Sequence, residues 1–309
     1  MAYIAINGVD HYYEWIGSTE APGTQKPVMV FIHGWAGSAR YWRSTAQALS
    51  NEFDCLLYDM RGFGRSAAAP VETMQANPEL GTIESFAEDL KALLDALGVT
   101  SVYLNAHSLG GSAALYFLER YPSYVQRAIL TCNGSFEYQP LAFSLFHRFG
   151  GYVVAFRPKW LSKIPLAPTV FMSRFLKRSI PSAEKVAFLD DFLMADGPTS
   201  LGTLRTAVSQ HATVAMPRAF AALEVPTLMV SGQYDKITPA PLGQQAAALN
   251  QRIEYVEIAN TAHFPMLEDA NAYLRVVRDF LRAGQPAPLG QPAATSGAPA
   301  SVLESHANV

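Results

Sequence analysis

The sequence of 309 residues has only two cysteines and few features of a secreted or membrane protein. Cys55 and Cys132 each lie in an apolar, strand-like context, which predicts two small buried side chains and no disulfide. No uninterrupted apolar stretch reaches the about 18 residues of a spanning helix. The N-terminus also lacks the basic region and apolar core of a signal peptide. These absences predict a cytoplasmic protein.

Charge is scarce as well. Charged residues make up 16% of the chain and the net charge is −3, so no global field draws the protein to nucleic acid. No basic array with interleaved aromatic residues, typical of nucleic-acid binding, is present. The seven histidines are scattered without the spacing of a metal-ligand cluster. The composition therefore predicts no nucleic-acid partner and no metal.

The pattern of apolar residues indicates the fold class. Half of the residues are hydrophobic, and short apolar runs alternate with segments of helical periodicity, which predicts a mainly parallel sheet with helices on both faces. A hairpin is predicted at Asn7-Gly8, and a helix over 83–97 with Thr82 as its N-cap and Gly98 at its end. The predicted strands are 28–32, 55–59, 101–105, 226–230 and 253–258.

A serine lies in the turn between the predicted strand 101–105 and the helix that follows it. The sequence there is Asn105-Ala106-His107-Ser108-Leu109-Gly110-Gly111. A residue at the apex of such an elbow adopts strained backbone angles, so the positions two residues away must be small, as Ala106 and Gly110 are. Ser108 is therefore a candidate nucleophile, and we interpret His107 beside it as a packing residue.

A base and a carboxylate follow the serine along the chain. Asp235 comes directly after the predicted strand 226–230, and His263 directly after the strand 253–258. Both lie where a strand gives way to a loop, which is where ligand chemistry collects in open α/β sheets. Asp59 is a rival carboxylate, which we expect to brace its own turn instead.

Upstream, the predicted strand 28–32 ends in His33-Gly34-Trp35. Gly34 lets the chain turn so that the N–H of Trp35 points at a substrate oxygen. Together with the N–H of Leu109 it would form a two-donor oxyanion hole, each donor contributing roughly 3 to 4 kcal/mol of transition-state stabilisation.

With these motifs in this order, the chain resembles the α/β hydrolase superfamily of lipases, esterases and dehalogenase-like enzymes over about residues 3–282. The segment from Asp59 to Ser66 is typical of the same superfamily. Two positions differ: Ala106 stands where a glycine is common, and Trp35-Ala36 replaces a frequent aromatic-proline pair, which disfavours a perhydrolase or haloperoxidase. In some relatives the acid follows the strand before the cap, where this chain has Asn133.

The resemblance implies an α/β-hydrolase fold, with a mainly parallel central sheet, helices on both faces and an inserted helical cap. The change in pattern after Asn133-Gly134 divides the chain into a first core part, a cap, a second core part and a disordered tail rich in Ala, Pro, Gly and Ser. Their predicted ranges are 1–133, 134–221, 222–282 and 283–309.

A serine nucleophile favours hydrolysis of a carboxylic ester through an acyl-enzyme, with His263 as base and Asp235 orienting it. No cofactor is needed. A carbon–carbon bond hydrolase and an iminopeptidase on the same fold remain alternatives, as does a non-catalytic ligand receptor. An iminopeptidase would need carboxylates in the cap to pair with the substrate amine, and residues 141–180 contain none.

The segment 141–180 carries seven cations and no carboxylate, while the rest of the chain has a charge of −10. Many large apolar residues are interleaved with these cations. The simplest interpretation is that the apolar side chains cover the site and the cations face solvent. The combination also predicts a lipophilic ester substrate and transient contact with an anionic membrane surface. Recognition of an anionic group on the substrate is a third interpretation. No feature of the sequence indicates an oligomeric state.

Overall fold

The computed structural model describes residues 2–17 and 25–283 of the chain. In this part, a single sheet runs in the order β1-β2-β4-β3-β5-β6-β7-β8. The pairs β1–β2 and β2–β4 are antiparallel, and the other neighbours are parallel. The strands are β1 (Ala2–Ile6), β2 (Val9–Ile16), β3 (Val28–Ile32), β4 (Asp54–Tyr58), β5 (Val102–His107), β6 (Val125–Thr131), β7 (Thr227–Gly232) and β8 (Ile253–Ile258).

Each of the five predicted strands matches an observed strand to within two residues at either end, whereas β6 was not among the predicted strands. β3 and β8 have the predicted bounds, β4 is shifted by one residue, and β5 continues two residues further, to His107. The predicted hairpin at Asn7-Gly8 is confirmed, since both residues have the positive φ angles, 51° and 77°, of a tight two-residue turn.

Helices cover both faces of the sheet. They are α1 (Arg43–Leu49), α2 (Val71–Ala76), α3 (Glu84–Ala96), α4 (Leu109–Arg120), α5 (Pro140–Ala155), α6 (Ala167–Met172), α7 (Ser182–Met194), α8 (Gly197–Ala207), α9 (Gln210–Ala222), α10 (Ala240–Ala247), α11 (Pro265–Glu268) and α12 (Ala270–Arg282).

The predicted N-cap of α3 is wrong. Ile83 occupies the N-cap position without a side-chain hydrogen bond. The hydroxyl of Thr82 donates instead to the Glu79 carbonyl at 2.7 Å, because a short 3-10 turn over Pro78–Gly81 precedes the helix and engages it. The predicted end at Gly98 is confirmed, with a φ of +68° there.

The buried core lies in two layers, one on each face of the sheet. Val28, Val30 and Ile32 of β3 belong to the layer that α3, α4 and α9 cover. Met29 and Phe31 alternate with them and belong to the layer under α1 and α12. Since β3 is buried on both faces, its sequence is continuously apolar. The core thus holds β3 in place, and the loop after its carboxyl end can carry functional residues.

Between β6 and β7 the chain forms helices α5–α9. Helices α6 and α7 pack on each other, and α9 packs against α4, with Phe220 fully buried. The segment also contacts the loop after β3: the Ser38 hydroxyl donates to Asp191 of α7 at 2.5 Å, and the Trp35 indole donates to the Ser200 carbonyl at 3.0 Å. The cap range of 134–221 stays a prediction.

In the part of the chain that the structure describes, no helix has the length and apolar character that crossing a membrane requires. The predicted disordered tail, 283–309, lies outside the described residues from position 284 onward.

Candidate active site

Ser108 is the first residue after β5 and directly precedes α4. Its backbone angles, φ 54° and ψ −121°, are unfavourable for an L-residue. Two contacts from β6 and the loop after it hold this conformation: the Ser108 N–H donates to the Thr131 carbonyl at 2.9 Å, and the Asn133 side-chain amide donates to the Ser108 carbonyl at 2.9 Å. Asn133 thus has a structural role at the position where some relatives carry an acid.

The small residues of the elbow allow close packing. A Cβ atom at Gly110 would lie 2.3 Å from the His33 carbonyl oxygen, so no larger residue fits there. Ala106 is fully buried inside β5, between β3 and β6. Both positions bring α4 and the loop after β3 close to Ser108.

The structure brings together the three side chains that the sequence predicted as nucleophile, base and acid. Ser108 Oγ lies 3.1 Å from His263 Nε2, and His263 Nδ1 lies 2.8 Å from Asp235 Oδ2. A carboxylate only accepts hydrogen bonds, so Nδ1 carries the proton and Nε2 accepts from the Ser108 hydroxyl. This arrangement can move a proton from the serine to the imidazole as the oxygen attacks an electrophile.

The loop after β7 holds the carboxylate in place. Asp235 Oδ1 accepts hydrogen bonds from the backbone N–H groups of Ile237, at 2.7 Å, and Thr238, at 3.1 Å. The second oxygen is left for His263, and both side chains are buried. One carboxylate oxygen therefore fixes the loop and the other fixes the imidazole.

Asp59 braces its own turn, as the sequence analysis expected. Its Oδ1 accepts from the Ala39 N–H at 2.7 Å, and its Oδ2 accepts from the N–H and Nε of Arg65, at 2.8 and 2.6 Å. The carboxylate is fully buried and both of its oxygens are engaged. It orders the loop after β4.

The predicted oxyanion loop lies directly against the elbow. A Cβ atom at Gly34 would be 3.0 Å from His107 Nδ1 and 3.1 Å from the Ser108 Cβ. Among the described residues, neither the Trp35 N–H nor the Leu109 N–H donates a hydrogen bond to another protein group. Both donors are thus unengaged beside Ser108, and their role as oxyanion hole stays a prediction.

His33 holds this loop through hydrogen bonds to backbone groups on two loops. Its Nε2 accepts from the Met60 N–H at 2.9 Å, so its Nδ1 carries the proton and donates to the Gly34 carbonyl at 2.8 Å. Burial lowers the pKa of His33, with only partial opposition from the Asp59 carboxylate. The ring is therefore a neutral connector between the loops after β3 and β4.

Tyr41 and His107 connect the oxyanion loop to the predicted base, a role that the sequence analysis did not assign to either. The Gly34 N–H donates to the Tyr41 hydroxyl, which lies 2.9 Å from His107 Nδ1. His107 Nε2 in turn donates to the His263 carbonyl at 2.7 Å. Burial raises the pKa of Tyr41 well above its usual value, so its hydroxyl keeps the proton that it donates to His107.

Burial also lowers the pKa of His107 well below its usual value, and the neighbouring His263 adds to this effect. The ring therefore stays neutral, with its proton on Nε2. The packing role expected for His107 is supplemented by these two hydrogen bonds.

Glu268 is a second residue that sequence reasoning missed. Its Oε1 accepts from the Ala262 N–H at 2.8 Å, beside His263, and its Oε2 accepts from the N–H groups of Lys177 and Arg178 at 2.6 and 2.8 Å. One buried carboxylate thus holds the histidine loop to the segment after α6. The available signal was a carboxylate directly after the apolar run 264–267.

His107, Cys132 and His263 place three potential metal-ligating atoms within 4.8 Å of one another. A ligating thiol must lose its proton, but burial raises the pKa of Cys132 well above its usual value, and Asp235 adds to the shift. Both nitrogens of His107 are already engaged in hydrogen bonds. The chemistry of this set does not suit a metal ion.

A cavity of about 90 Å³ adjoins Ser108 and His263. Helices α6 and α7 form its roof, and none of the described side chains that line it is a carboxylate, a lysine or an arginine. The other lining residues are Gly34, Trp35, Ala36, Tyr41, His107, Phe171, Met172, Phe175, Phe188, Phe192, Ile237 and Phe264.

A mainly parallel sheet, a serine at a strand-to-helix elbow, and a histidine and a carboxylate in loops after later strands define the class of α/β hydrolases. The chain belongs to the alpha/beta hydrolase fold family, whose model matches residues 27–270. The protein is accordingly a hydrolase.

Several relatives match most of the length of this chain at low sequence identity. It is 22% identical to the pimeloyl-[acyl-carrier protein] methyl ester esterase of Vibrio cholerae, over 82% of this chain and 93% of the relative. A hydrolase structure from Pseudomonas aeruginosa has a TM-score of 0.74 at 22% identity, covering 91% of this chain and 97% of the other. The enol-lactonase of Burkholderia xenovorans has a TM-score of 0.72 at 21% identity, covering 91% and 100%.

Proposed function

We propose that the protein hydrolyses a carboxylic ester with an apolar acyl portion, through an acyl-enzyme formed on Ser108. The observation that carries this proposal is the chain of contacts from Ser108 Oγ through His263 to Asp235, at 3.1 and 2.8 Å. Ser108 attacks the carbonyl carbon while His263 takes its proton. His263 then returns the proton to the leaving alcohol, and water releases the acid by the same route.

The N–H groups of Trp35 and Leu109 hold the oxyanion in this mechanism, and Asp235 orients His263 and stabilises it when protonated. The lining of the cavity supports an apolar acyl group, because it offers no charged side chain that could pair with a charged group on the substrate. It also offers no carboxylate to pair with a substrate amine, which disfavours the iminopeptidase alternative. One relative is named a methyl ester esterase and one structural neighbour an enol-lactonase, and the proposal agrees with both names.

The size of the cavity supports a short or compact acyl group. At about 90 Å³ it is smaller than the roughly 150 Å³ of a protein cavity that admits benzene. We therefore expect acetyl and butyryl esters to be better substrates than esters of long, straight acids. A bulky apolar alcohol can extend outside the cavity.

Burst kinetics with 4-nitrophenyl butyrate test the proposal. The wild-type protein should release one nitrophenolate per site in the burst, and mass spectrometry should detect the butyryl group on Ser108. Ser108→Ala should show neither, whereas Ser123→Ala, which changes an exposed serine, should behave as the wild type.

Asp235→Asn should lower kcat by roughly four orders of magnitude, because the amide favours the wrong imidazole tautomer. Normal turnover in Ser108→Ala would contradict the proposal. If Asp235→Asn showed normal turnover while Ser108→Ala did not, another carboxylate, such as Glu137, would have to orient His263.

A further inference from the structure

Helix α5 exposes an apolar stripe on the side opposite its packed face. Phe143, Gly150 and Val154 are buried on the packed face, where Gly150 lies against the Leu204 side chain of α8. On the other side, large apolar side chains recur at intervals of three or four residues, so they fall along one line of the helix. They are Leu141, Leu145, Phe149, Tyr152 and Phe156, between 56 and 74% exposed.

A helix that is apolar all round is usually buried in protein or in lipid. In the described part of the chain, no element covers this outer stripe, and further apolar side chains are exposed in the segment after it: Trp160, Ile164, Leu166 and Val170. Such a concentration of exposed apolar surface marks an interaction site.

The charges beside the stripe specify the partner. Arg148 is exposed next to Phe149, and Lys159, Lys163 and Arg174 are exposed along the following segment. Within the described residues, none of these four forms an ion pair, whereas Arg178 pairs with Asp269 at 2.6 Å. Since residues 141–180 contain no Asp or Glu, the surface combines apolar side chains with unneutralised positive charge.

We propose that the outer face of α5, with the exposed residues of 159–174, docks on an anionic lipid bilayer. The sixteen residues of α5 are fewer than the about 20 that a spanning helix needs. The helix therefore lies parallel to the bilayer, with its apolar stripe among the acyl chains and its cations at the phosphates. Pairing of two copies through the same stripe is disfavoured, because it would bring two sets of unneutralised cations together.

Docking would bring the roof of the cavity to the lipid. Helix α6 contributes Phe171 and Met172 to the cavity, whereas Val170 and the N-cap residue Leu166 are exposed. A lipophilic ester dissolved in the bilayer would thus be presented to the site through the cap. This last step rests on the proposed function, whereas docking itself does not.

Vesicle co-sedimentation of the full chain tests the docking. The Ser108→Ala variant is used, so that hydrolysis of lipid plays no part in the measurement. It should bind vesicles of phosphatidylcholine with 30% phosphatidylglycerol at low salt, and bind much less to phosphatidylcholine alone.

Two triple variants separate the apolar and the charged contributions. Leu145→Ser/Phe149→Ser/Tyr152→Ser and Arg148→Gln/Lys159→Gln/Lys163→Gln should each weaken binding by about tenfold or more. Leu249→Ser, and the triple change of Arg218, Arg252 and Arg275 to Gln, alter exposed residues elsewhere. These controls should bind as the parent does.

In the Ser108 background, both test variants should turn over soluble 4-nitrophenyl acetate at the wild-type rate, which shows that they are folded. Absence of binding to the anionic vesicles, or an equal loss in the controls, would overturn the proposal. The proposal would also be overturned if the wild-type protein self-associated and the Leu145→Ser/Phe149→Ser/Tyr152→Ser variant were monomeric. A second copy of the chain would then cover the stripe. Failure of acetate hydrolysis in the wild type would contradict the proposed function and leave the binding result unaffected.

Discussion

At the scale of single residues, Tyr41 joins two parts of the site that the sequence keeps far apart. Its hydroxyl accepts from the Gly34 N–H and contacts His107, which in turn supports the loop of His263. The phenol is buried and stacks on Phe188 of α7, with ring centroids 5.0 Å apart. Tyr41 is therefore a positioning residue for both the oxyanion loop and the base.

Tyr41→Phe should lower kcat for a short ester by about tenfold and destabilise the protein by about 1 to 3 kcal/mol. The variant keeps the ring but leaves the Gly34 N–H and His107 Nδ1 buried without their partner. Initial rates and urea unfolding measure the two effects.

Tyr58→Phe is the matched control, because the buried Tyr58 hydroxyl has no hydrogen-bond partner among the described residues. Its removal should leave both quantities unchanged or raise stability slightly. Equal effects of the two substitutions would show that the Tyr41 hydroxyl has no positioning role.

At the scale of elements, helix α6 has one side in the cavity and the other in solvent. Phe171 contacts Phe192 and Phe175, with ring centroids 4.9 and 5.8 Å apart. Val170, its neighbour in the chain, is exposed. The position of this short helix determines how much room the acyl group has.

Phe171→Ala should shift the preference from acetyl toward hexanoyl and octanoyl esters by roughly tenfold or more in relative kcat/KM, because the lost ring makes room for further methylene groups. A chain-length series of 4-nitrophenyl esters measures the shift. Val170→Ala, on the outer side of the same helix, should leave the series unchanged. An unaltered preference in Phe171→Ala would show that the acyl chain does not lie under α6.

At the scale of the whole molecule, one buried carboxylate ties the helices between β6 and β7 to the rest of the fold. Asp191 of α7 accepts from the Ser38 hydroxyl and lies 3.2 Å from Arg40. Burial raises its pKa from 3.8 to about 6, although Ser38 and Arg40 oppose the shift; more distantly, Asp59 adds to it and Arg65 opposes it. The folded protein therefore holds this proton more tightly than the unfolded chain does.

The free energy of unfolding should consequently fall as the pH rises from about 4 to about 6, where only the unfolded state has lost the proton. Asp191 should contribute about 3 kcal/mol to this fall. It should contribute nothing further above about pH 6, where the folded state has also lost the proton. Urea unfolding at several pH values measures it as the difference between the wild type and Asp191→Asn, which should change across that window. Asp190→Asn controls for the loss of one negative charge from the same helix. A constant difference between the wild type and Asp191→Asn would contradict the buried, proton-binding state.

Much of the fold could be predicted from the sequence because it depends on local patterns. Continuous apolar runs indicate strands buried on both faces, so β3 has the predicted bounds, and small residues around Ser108 indicate an elbow. The N-cap of α3 was wrong because the preceding 3-10 turn competes for the hydroxyl of Thr82, a contact that a capping pattern does not include.

By itself, the sequence determined the first hairpin, five of the later strands, the elbow and the order in which Ser108, Asp235 and His263 follow one another. Only the tertiary structure decided that Tyr41 joins Gly34 to His107, that Glu268 holds the histidine loop to the segment after α6, and that no other described element covers the outer stripe of α5. These features join residues distant in the chain, or depend on which neighbours a helix face meets. They follow from the packing of distant elements against one another and not from any periodicity within a segment.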